Sequence, residues 1–370
     1  MNQKVVISGA GVISPNGLSI KEFWQNIISG KATNRTLQEY TQAGYGTVQG
    51  CVINNFCLTD FLKPGQNNIS RKYYQRIMEF DKSIQFALAA SKSAILDSGI
   101  SYNSENNEIG VFIGNAEEGI QSLERITKLT IQKSFEKTFN HFNSLLGPSG
   151  IFKIKKEFKQ YSNLFAEENL DEFITLLLEK LGNIESLTPP NVLNNKSYAL
   201  PAAISAAFNL HGPSITINTA CASGLDAIGQ AYLAIKSGLI NYAIAGGSEA
   251  PITLQTISAL SNLGVLSKTH PKPFCKGRDG FAISEGSGIV LLETLESASK
   301  RGAKIYAEIK GYSQSIDGND HICKIHKEFK QSPASHLQGQ GCHKCGGTYH
   351  YTINEWIDKA RLIHGDKYDY

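Results

Sequence analysis

The first 310 residues alternate between short apolar runs and longer stretches in which apolar residues recur three and four positions apart. The short runs predict buried strands, and the wider spacing predicts amphipathic helices. The predicted strands lie at 5–8, 109–114, 215–219, 242–245, 289–292 and 304–309, and the predicted helices at 21–29, 81–98, 171–181 and 222–235. Strands that alternate with helices and are apolar on both faces predict a mostly parallel sheet covered by helices, in an α/β protein.

One stretch, 215–224, contains both patterns and a reactive side chain. Residues 215–219 alternate β-branched and polar side chains, and the spacing becomes helical from Ala222, so Cys221 is predicted at a strand-to-helix elbow. A helix N-terminus offers unpaired N–H groups and the positive end of the helix dipole, which favour a thiolate. Cys221 is therefore a candidate nucleophile, although a single cysteine is more often a small buried apolar residue.

Four short blocks, in this order, resemble the β-ketoacyl-acyl-carrier-protein synthases. They are Thr-Ala-Cys-Ala-Ser-Gly at 219–224, Gly-Gly-Ser-Glu at 246–249, Arg-Asp-Gly-Phe at 278–281 and Glu-Gly-Ser-Gly at 285–288. The resemblance runs from about residue 5 to about residue 318. It implies a thiolase-like α/β fold in a domain at 1–317, made of the N-terminal βαβαβαββ half and the start of the second half, with a cap insertion at about 115–195.

The resemblance also implies a reaction and its partners. Cys221 would take an acyl group from a thioester, and its backbone N–H would belong to the oxyanion hole, in a Claisen condensation of fatty acid or polyketide biosynthesis. The implied partners are an acyl carrier protein with acyl and malonyl thioesters, and a second copy of the chain in a homodimer. Condensation would need no cofactor.

A complete synthase of this kind is longer, and its second half carries two histidines and a lysine that the chemistry uses. No position of this chain matches those two histidines, so we expect a truncated and catalytically impaired synthase. The histidines before residue 318 are poor substitutes. His211 is expected roughly 20 Å from Cys221 at the far end of the strand, His141 lies in the cap, and His270 lies in a proline-bounded loop.

Composition narrows the class of protein without changing this picture. Of the 370 residues 41% are hydrophobic, enough for a sizeable core, and the formal net charge of +3 indicates neither a nucleic-acid nor a membrane partner. The N-terminus lacks the apolar segment of a signal peptide, and no run reaches the roughly 18 apolar residues of a membrane span. The seven cysteines follow no secreted disulfide pattern, so we expect a cytoplasmic protein.

The tail, 318–370, differs in composition and predicts a second small domain. Six of the nine histidines and three of the seven cysteines lie in it. Cys323-x-x-His326 and Cys342-x-x-Cys345 are two ligand pairs separated by 15 residues, so they predict a zinc-ribbon-like site for one structural Zn²⁺. The tail also resembles a short repeated module of viral and phage-type proteins.

Two other functions are compatible with the sequence. One is a coenzyme A-dependent, thiolase-like condensing enzyme, although the block at 278–281 and the long cap favour the carrier-protein branch. The other is a non-catalytic fusion or interaction protein with a zinc-binding tail. Nucleic acid is disfavoured as the partner of that tail, because its seven Lys or Arg are balanced by six Asp or Glu.

Overall fold

The computed structural model describes residues 3–63, 71–101, 108–117, 119–131, 133–134 and 196–315, and two short strands at 322–323 and 327–328. The chain divides into two compact units. The first comprises Met1–Ser258 with Leu266–Tyr312, and the second comprises Ala259–Val265 with Ser313–Tyr370.

The strands of the described residues form one large mixed sheet, a small three-stranded sheet and, in the second unit, a two-stranded hairpin. Their bounds are β1 Val5–Ile13, β2 Arg35–Thr36, β3 Gln49–Cys51, β4 Ile109–Gly114, β5 Ser214–Ile217, β6 Tyr242–Glu249, β7 Ile283–Ser284, β8 Gly286–Thr294, β9 Ala307–Ile309, β10 Ile322–Cys323 and β11 Lys327–Glu328. The large sheet has the order β5-β4-β6-β8-β1-β9, the small sheet has the order β2-β3-β7, and β10 pairs with β11.

The α-helices with defined bounds are α1 Ile20–Ile28, α2 Gln38–Tyr40, α3 Arg71–Ile77, α4 Lys82–Ser98, α5 Ala199–Phe208, α6 Ser223–Lys236, α7 Leu254–Asn262 and α8 Leu295–Lys300. A π-helical turn at Thr41–Tyr45 follows α2, a 3₁₀ turn lies at Leu58–Asp60, and residues 120–131 are also helical. The predicted helix at 171–181 lies outside the described residues.

The large sheet is not mostly parallel, which corrects the prediction from the sequence. Strand β4 runs parallel to β5 and β6, whereas β8 is antiparallel to β6 and β1, and β9 is antiparallel to β1. Apolar side chains on both faces of a strand show that both faces are covered, but they carry no information about strand direction. Among the described strands, the one predicted at 215–219 lies at an edge of this sheet, as β5.

Helices cover both faces of the large sheet. Along β6, Ile244 belongs to the core that contains α4 and α5, whereas Ala243 and Ala245 belong to the core that contains α6. This alternation follows from the two-residue period of a strand. The sheet is thus sandwiched between two apolar cores, as strands that are apolar on both faces require.

Helix α4 confirms its sequence prediction closely. It begins after Asp81, and Gly99 ends it in the left-handed conformation with a φ of 65°. Strand β1 extends beyond its predicted end and contains Gly9 and Gly11. A Cβ atom at either position would overlap the backbone of α4, at Ala94 or Ala90. These glycines therefore allow α4 to pack directly on the sheet.

Candidate active site

Cys221 lies in the short connection between β5, which ends at Ile217, and α6, which begins at Ser223. It is an exposed free cysteine. No side chain caps the N-terminus of α6, whose N-cap residue is Ala222. Cys221 thus lies immediately before the N-cap residue of α6, with its side chain exposed.

The residue before the cysteine has an unusual backbone conformation. Ala220 has a φ of 51°, in the left-handed region that residues other than glycine seldom adopt. Its N–H donates to Asn218 Oδ1 at 3.4 Å, and its carbonyl accepts from the hydroxyl of Ser223 at 2.6 Å. This sharp bend keeps Cys221 out of both regular elements and on the surface.

A buried carboxylate lies behind the bend. Asp226, on the first turn of α6, is 5% exposed and accepts hydrogen bonds from the hydroxyls of Thr219 and Tyr312, the latter at 2.8 Å. Desolvation, followed by the hydrogen bond to Asp226 and its charge, raises the pKa of Tyr312. Tyr312 therefore keeps its proton and acts as a donor.

The glycines of the sequence blocks allow α6 to approach the sheet. A Cβ atom at Gly114 would overlap the backbone of Ser223, and one at Gly224 would lie 3.4 Å from the Cα atom of Gly247. A Cβ atom at Gly246, whose φ is 153°, would overlap the carbonyl of Gly288. Residues of three separated blocks thus lie close together beneath the elbow.

Glu249 is a second carboxylate near the elbow, and it is partly buried. It accepts from the backbone N–H groups of Ala116 at 2.8 Å and Glu117 at 3.3 Å, and from the amide of Asn115 at 3.3 Å. Burial raises the pKa of Glu249, and these backbone hydrogen bonds partly oppose the shift. The amide of Asn218 donates in turn to the carbonyl of Ala116 at 3.3 Å, which connects this loop to the elbow.

Sequence reasoning missed the contribution of 115–117, because their link to Glu249 spans more than 130 residues. The Gly-Gly-Ser-Glu block at 246–249 was a signal for the carboxylate but not for its partners. Sequence reasoning also missed Asp226 and Tyr312, for which the position of Asp226 on the first turn of α6 was the sole signal.

The acidic residues of the other two blocks, Asp279 and Glu285, accept hydrogen bonds from neighbouring loops. Asp279 accepts from the hydroxyls of Ser267 at 2.7 Å and Thr269 at 3.2 Å, and from the N–H of Lys268 at 3.2 Å. The hydrogen bond from Ser267 is the main cause that lowers the pKa of Asp279. Glu285 accepts from the N–H of Ile53 at 2.9 Å, and burial raises its pKa.

The described histidines before the tail have partners other than Cys221. His211 pairs with the side chain of Asn209 at 3.2 Å, and Nδ1 of His270 lies 3.0 Å from the amide of Asn34. His141 lies outside the described residues.

The predicted zinc ligands are not brought together in the described residues. Cys323 lies in the short strand β10. His326, Cys342 and Cys345 lie outside the described residues. Elsewhere in the described ranges, no group of three or more His, Cys, Asp or Glu could hold a metal ion. The zinc site and its ribbon therefore stay predictions, as do the domain boundary at 317 and the cap at about 115–195.

No helix in the described part of the chain is long and apolar enough to cross a membrane.

Comparisons with known proteins agree with the resemblance. The sequence model of the β-ketoacyl synthase N-terminal domain matches residues 2–145 and 168–298. The 3-oxoacyl-[acyl-carrier-protein] synthase 2 of Staphylococcus aureus (strain COL) is 29% identical over 322 residues, which cover 85% of this chain and 64% of that protein. The chain thus spans just under two thirds of the length of this relative.

Solved structures show the same fold. The ishigamide ketosynthase/chain length factor superposes with a TM-score of 0.61 at 23% identity, covering 84% of this chain and 63% of that one. AntDE:AntF, a type II polyketide ketosynthase in complex with its acyl carrier protein, gives a TM-score of 0.56 at 23% identity, covering 83% and 62%. The fold is therefore the predicted thiolase-like α/β fold. Together with the family match, which includes the elbow, this shows that the chain belongs to the β-ketoacyl synthase family through its N-terminal domain.

Proposed function

We propose that Cys221 accepts an acyl group from a thioester, the first half-reaction of a β-ketoacyl-acyl-carrier-protein synthase. The observation that carries the proposal is the exposed thiol next to the uncapped N-terminus of α6, in a chain of this family. The Cys221 thiolate attacks the thioester carbonyl, a new sulfur–carbon bond forms, and the carrier thiolate leaves and takes up a proton. No cofactor enters this step.

Condensation is the second half-reaction, and we propose that it is slow in this chain. Loss of CO₂ from malonyl thioester builds negative charge on an enolate, which needs donors fixed in advance. His211 and His270 have other partners in the described structure, so they do not support such a role. The expected result is a chain that is acylated and does not turn over efficiently.

An acyl carrier protein is the proposed partner, because the similar ketosynthase AntDE:AntF forms a complex with one.

We also propose a homodimer through β5. Among the described strands it lies at the edge of the large sheet, and Ile215 in it is 44% exposed. A free strand edge can pair with the same edge of a second copy.

A cytoplasmic location is proposed from the absence of a secreted disulfide pattern among the seven cysteines.

Acylation can be tested with a radiolabelled acyl carrier protein thioester. The wild-type chain should take up one acyl group, and Cys221→Ser should take up none. Cys275→Ser is the matched control, because Cys275 is another exposed free cysteine, outside the elbow. If the label persisted in Cys221→Ser and disappeared in Cys275→Ser, the nucleophile would be Cys275 and the proposal would be wrong.

A further inference from the structure

Hydrogen bonds fix the elbow from its buried side. One carboxylate oxygen of Asp226 accepts from the hydroxyl of Thr219, and the other accepts from the hydroxyl of Tyr312 at 2.8 Å. We propose that Asp226 is a positioning residue for acyl transfer to Cys221, because it holds Thr219 and is itself held by Tyr312. The inference deepens the proposed function and rests on it.

Thr219 is fixed at two points, and one residue separates it from the cysteine. Its hydroxyl binds Asp226, and its backbone N–H donates to Ser223 Oγ at 2.8 Å. The Ser223 hydroxyl donates onward to the carbonyl of Ala220 at 2.6 Å. Ala220 is the residue in the left-handed conformation, and such a conformation persists where surrounding contacts determine it. Contacts on both sides of Ala220 therefore set the direction in which Cys221 leaves the bend.

The hydroxyls of Thr219 and Tyr312 help to hold the carboxylate of Asp226 in place. Asp226 is 5% exposed, and a buried charge without hydrogen bonds is strongly unfavourable. Removal of one donor should therefore make the carboxylate turn toward another partner. Thr219 would then lose a fixed acceptor, and the bend would sample other conformations.

Tyr312 permits a conservative test of this arrangement. Its ring lies against Gly229 of α6, where a Cβ atom would overlap the ring. Packing thus holds the ring independently of the hydroxyl, so Tyr312→Phe removes the donor and keeps the contact. Tyr232→Phe is the matched control, because Tyr232 lies on the same helix and donates to the Lys310 carbonyl at 3.4 Å, away from the elbow.

The experiment compares Tyr312→Phe, Thr219→Val, Thr219→Ser and Tyr232→Phe with the wild-type chain. A positioning role predicts that Tyr312→Phe and Thr219→Val lower the maximal acylation rate by about tenfold or more, with the thioester KM changed by less than about twofold. Thr219→Ser retains the hydroxyl and should restore the rate, and Tyr232→Phe should react as the wild type does. The melting temperatures of Tyr312→Phe and Tyr232→Phe are measured as well, and the rates are compared at a temperature at which both variants are fully folded.

Alkylation of Cys221 by iodoacetamide, followed on the Cys221 peptide by mass spectrometry, separates this inference from the proposed function. A wild-type chain that accepts no acyl group would disprove the proposed function, and the alkylation rates would still decide the positioning role. An alkylation rate at least about fivefold lower in Tyr312→Phe than in Tyr232→Phe supports the positioning role, because the Cys221 thiol has then lost its place at the N-terminus of α6. Equal rates in these two variants overturn it.

Discussion

Arg301 and Glu293 form a two-point ion pair, with Nη2 at 2.5 Å from one carboxylate oxygen and Nε at 3.2 Å from the other. Glu293 lies on β8 and is 0% exposed. The remaining guanidinium nitrogen of Arg301 donates to the carbonyl of Ser98 at 2.6 Å, at the end of α4. One side chain therefore neutralises a buried charge and joins the sheet to the helix packed on it.

Replacement of Arg301 by Ala should lower the free energy of unfolding by about 3–5 kcal/mol, since it leaves the Glu293 carboxylate buried without its partner. Urea unfolding measures the change. Lys300→Ala is the control, because Lys300 pairs with Glu296 on the exposed surface of the neighbouring turn and should contribute little. Equal effects of the two substitutions would contradict the importance of the buried pair.

Gly114→Ala should destabilise the chain and slow the labelling of Cys221. The new methyl group would overlap the backbone of Ser223, and backbone cannot rotate away as a side chain can. Overpacking of this kind costs about 1–3 kcal/mol, and the shift of α6 should also displace the elbow. Gly277→Ala is the matched control, because the space around Gly277 is open. Labelling of Gly114→Ala at the wild-type rate would show that α6 does not need this close approach.

The pH dependence of stability should reveal the burial of Glu249. Its pKa is raised, so just above the ordinary glutamate pKa the folded chain keeps a proton that the unfolded chain has lost. The stability of the wild type relative to Glu249→Gln should thus be greatest below the ordinary pKa and fall as the pH rises through the raised value.

Glu296→Gln is the control, because the stability difference between the wild type and this variant should change with pH in the opposite direction. The hydrogen bond from Lys300 lowers the pKa of Glu296, so the wild type should gain stability relative to this variant as the pH rises through the lowered value. Unfolding curves from pH 3 to pH 8 measure both slopes. Slopes of the same sign would show that the burial of Glu249 has been misjudged.

Malonyl decarboxylation and 3-oxoacyl formation should be near background for this chain alone. Removal of one oxyanion donor typically costs about 10²–10³ in rate, and the described histidines His211 and His270 bond to Asn209 and Asn34. The assay follows labelled CO₂ and 3-oxoacyl product from malonyl carrier protein with the acylated chain. Rapid release of both products would contradict the proposal that condensation is slow.

Chain purified under reducing conditions should contain one Zn²⁺, held by Cys323, His326, Cys342 and Cys345. Structural zinc contributes on the order of 10 kcal/mol in small domains, so chelation should unfold the tail and leave the acylation of Cys221 unchanged. Elemental analysis and a Cys342→Ser variant test this. A chain free of metal after such a purification would exclude the site.

Local patterns in the sequence were sufficient to predict β4 and α4 and to place Cys221 between a strand and a helix. Each of these features depends on neighbours along the chain. The hydrogen bond from Tyr312 to Asp226 spans 86 residues, and that from Ala116 to Glu249 spans 133. Contacts between residues so far apart leave no periodic pattern in the sequence. The direction of each strand in the large sheet, and its position at the edge or the centre, depend on such contacts too.

The place of β1 in the large sheet has a consequence for synthesis on the ribosome. Val5 pairs with Thr294 of β8 on one side and with Ile309 of β9 on the other, so both neighbours are made almost a whole domain later. At about 5–20 residues per second, β1 waits roughly 15–60 s for its first partner. During that time its apolar side chains have no sheet to join, and the nascent chain should be a substrate for chaperones that bind extended apolar segments.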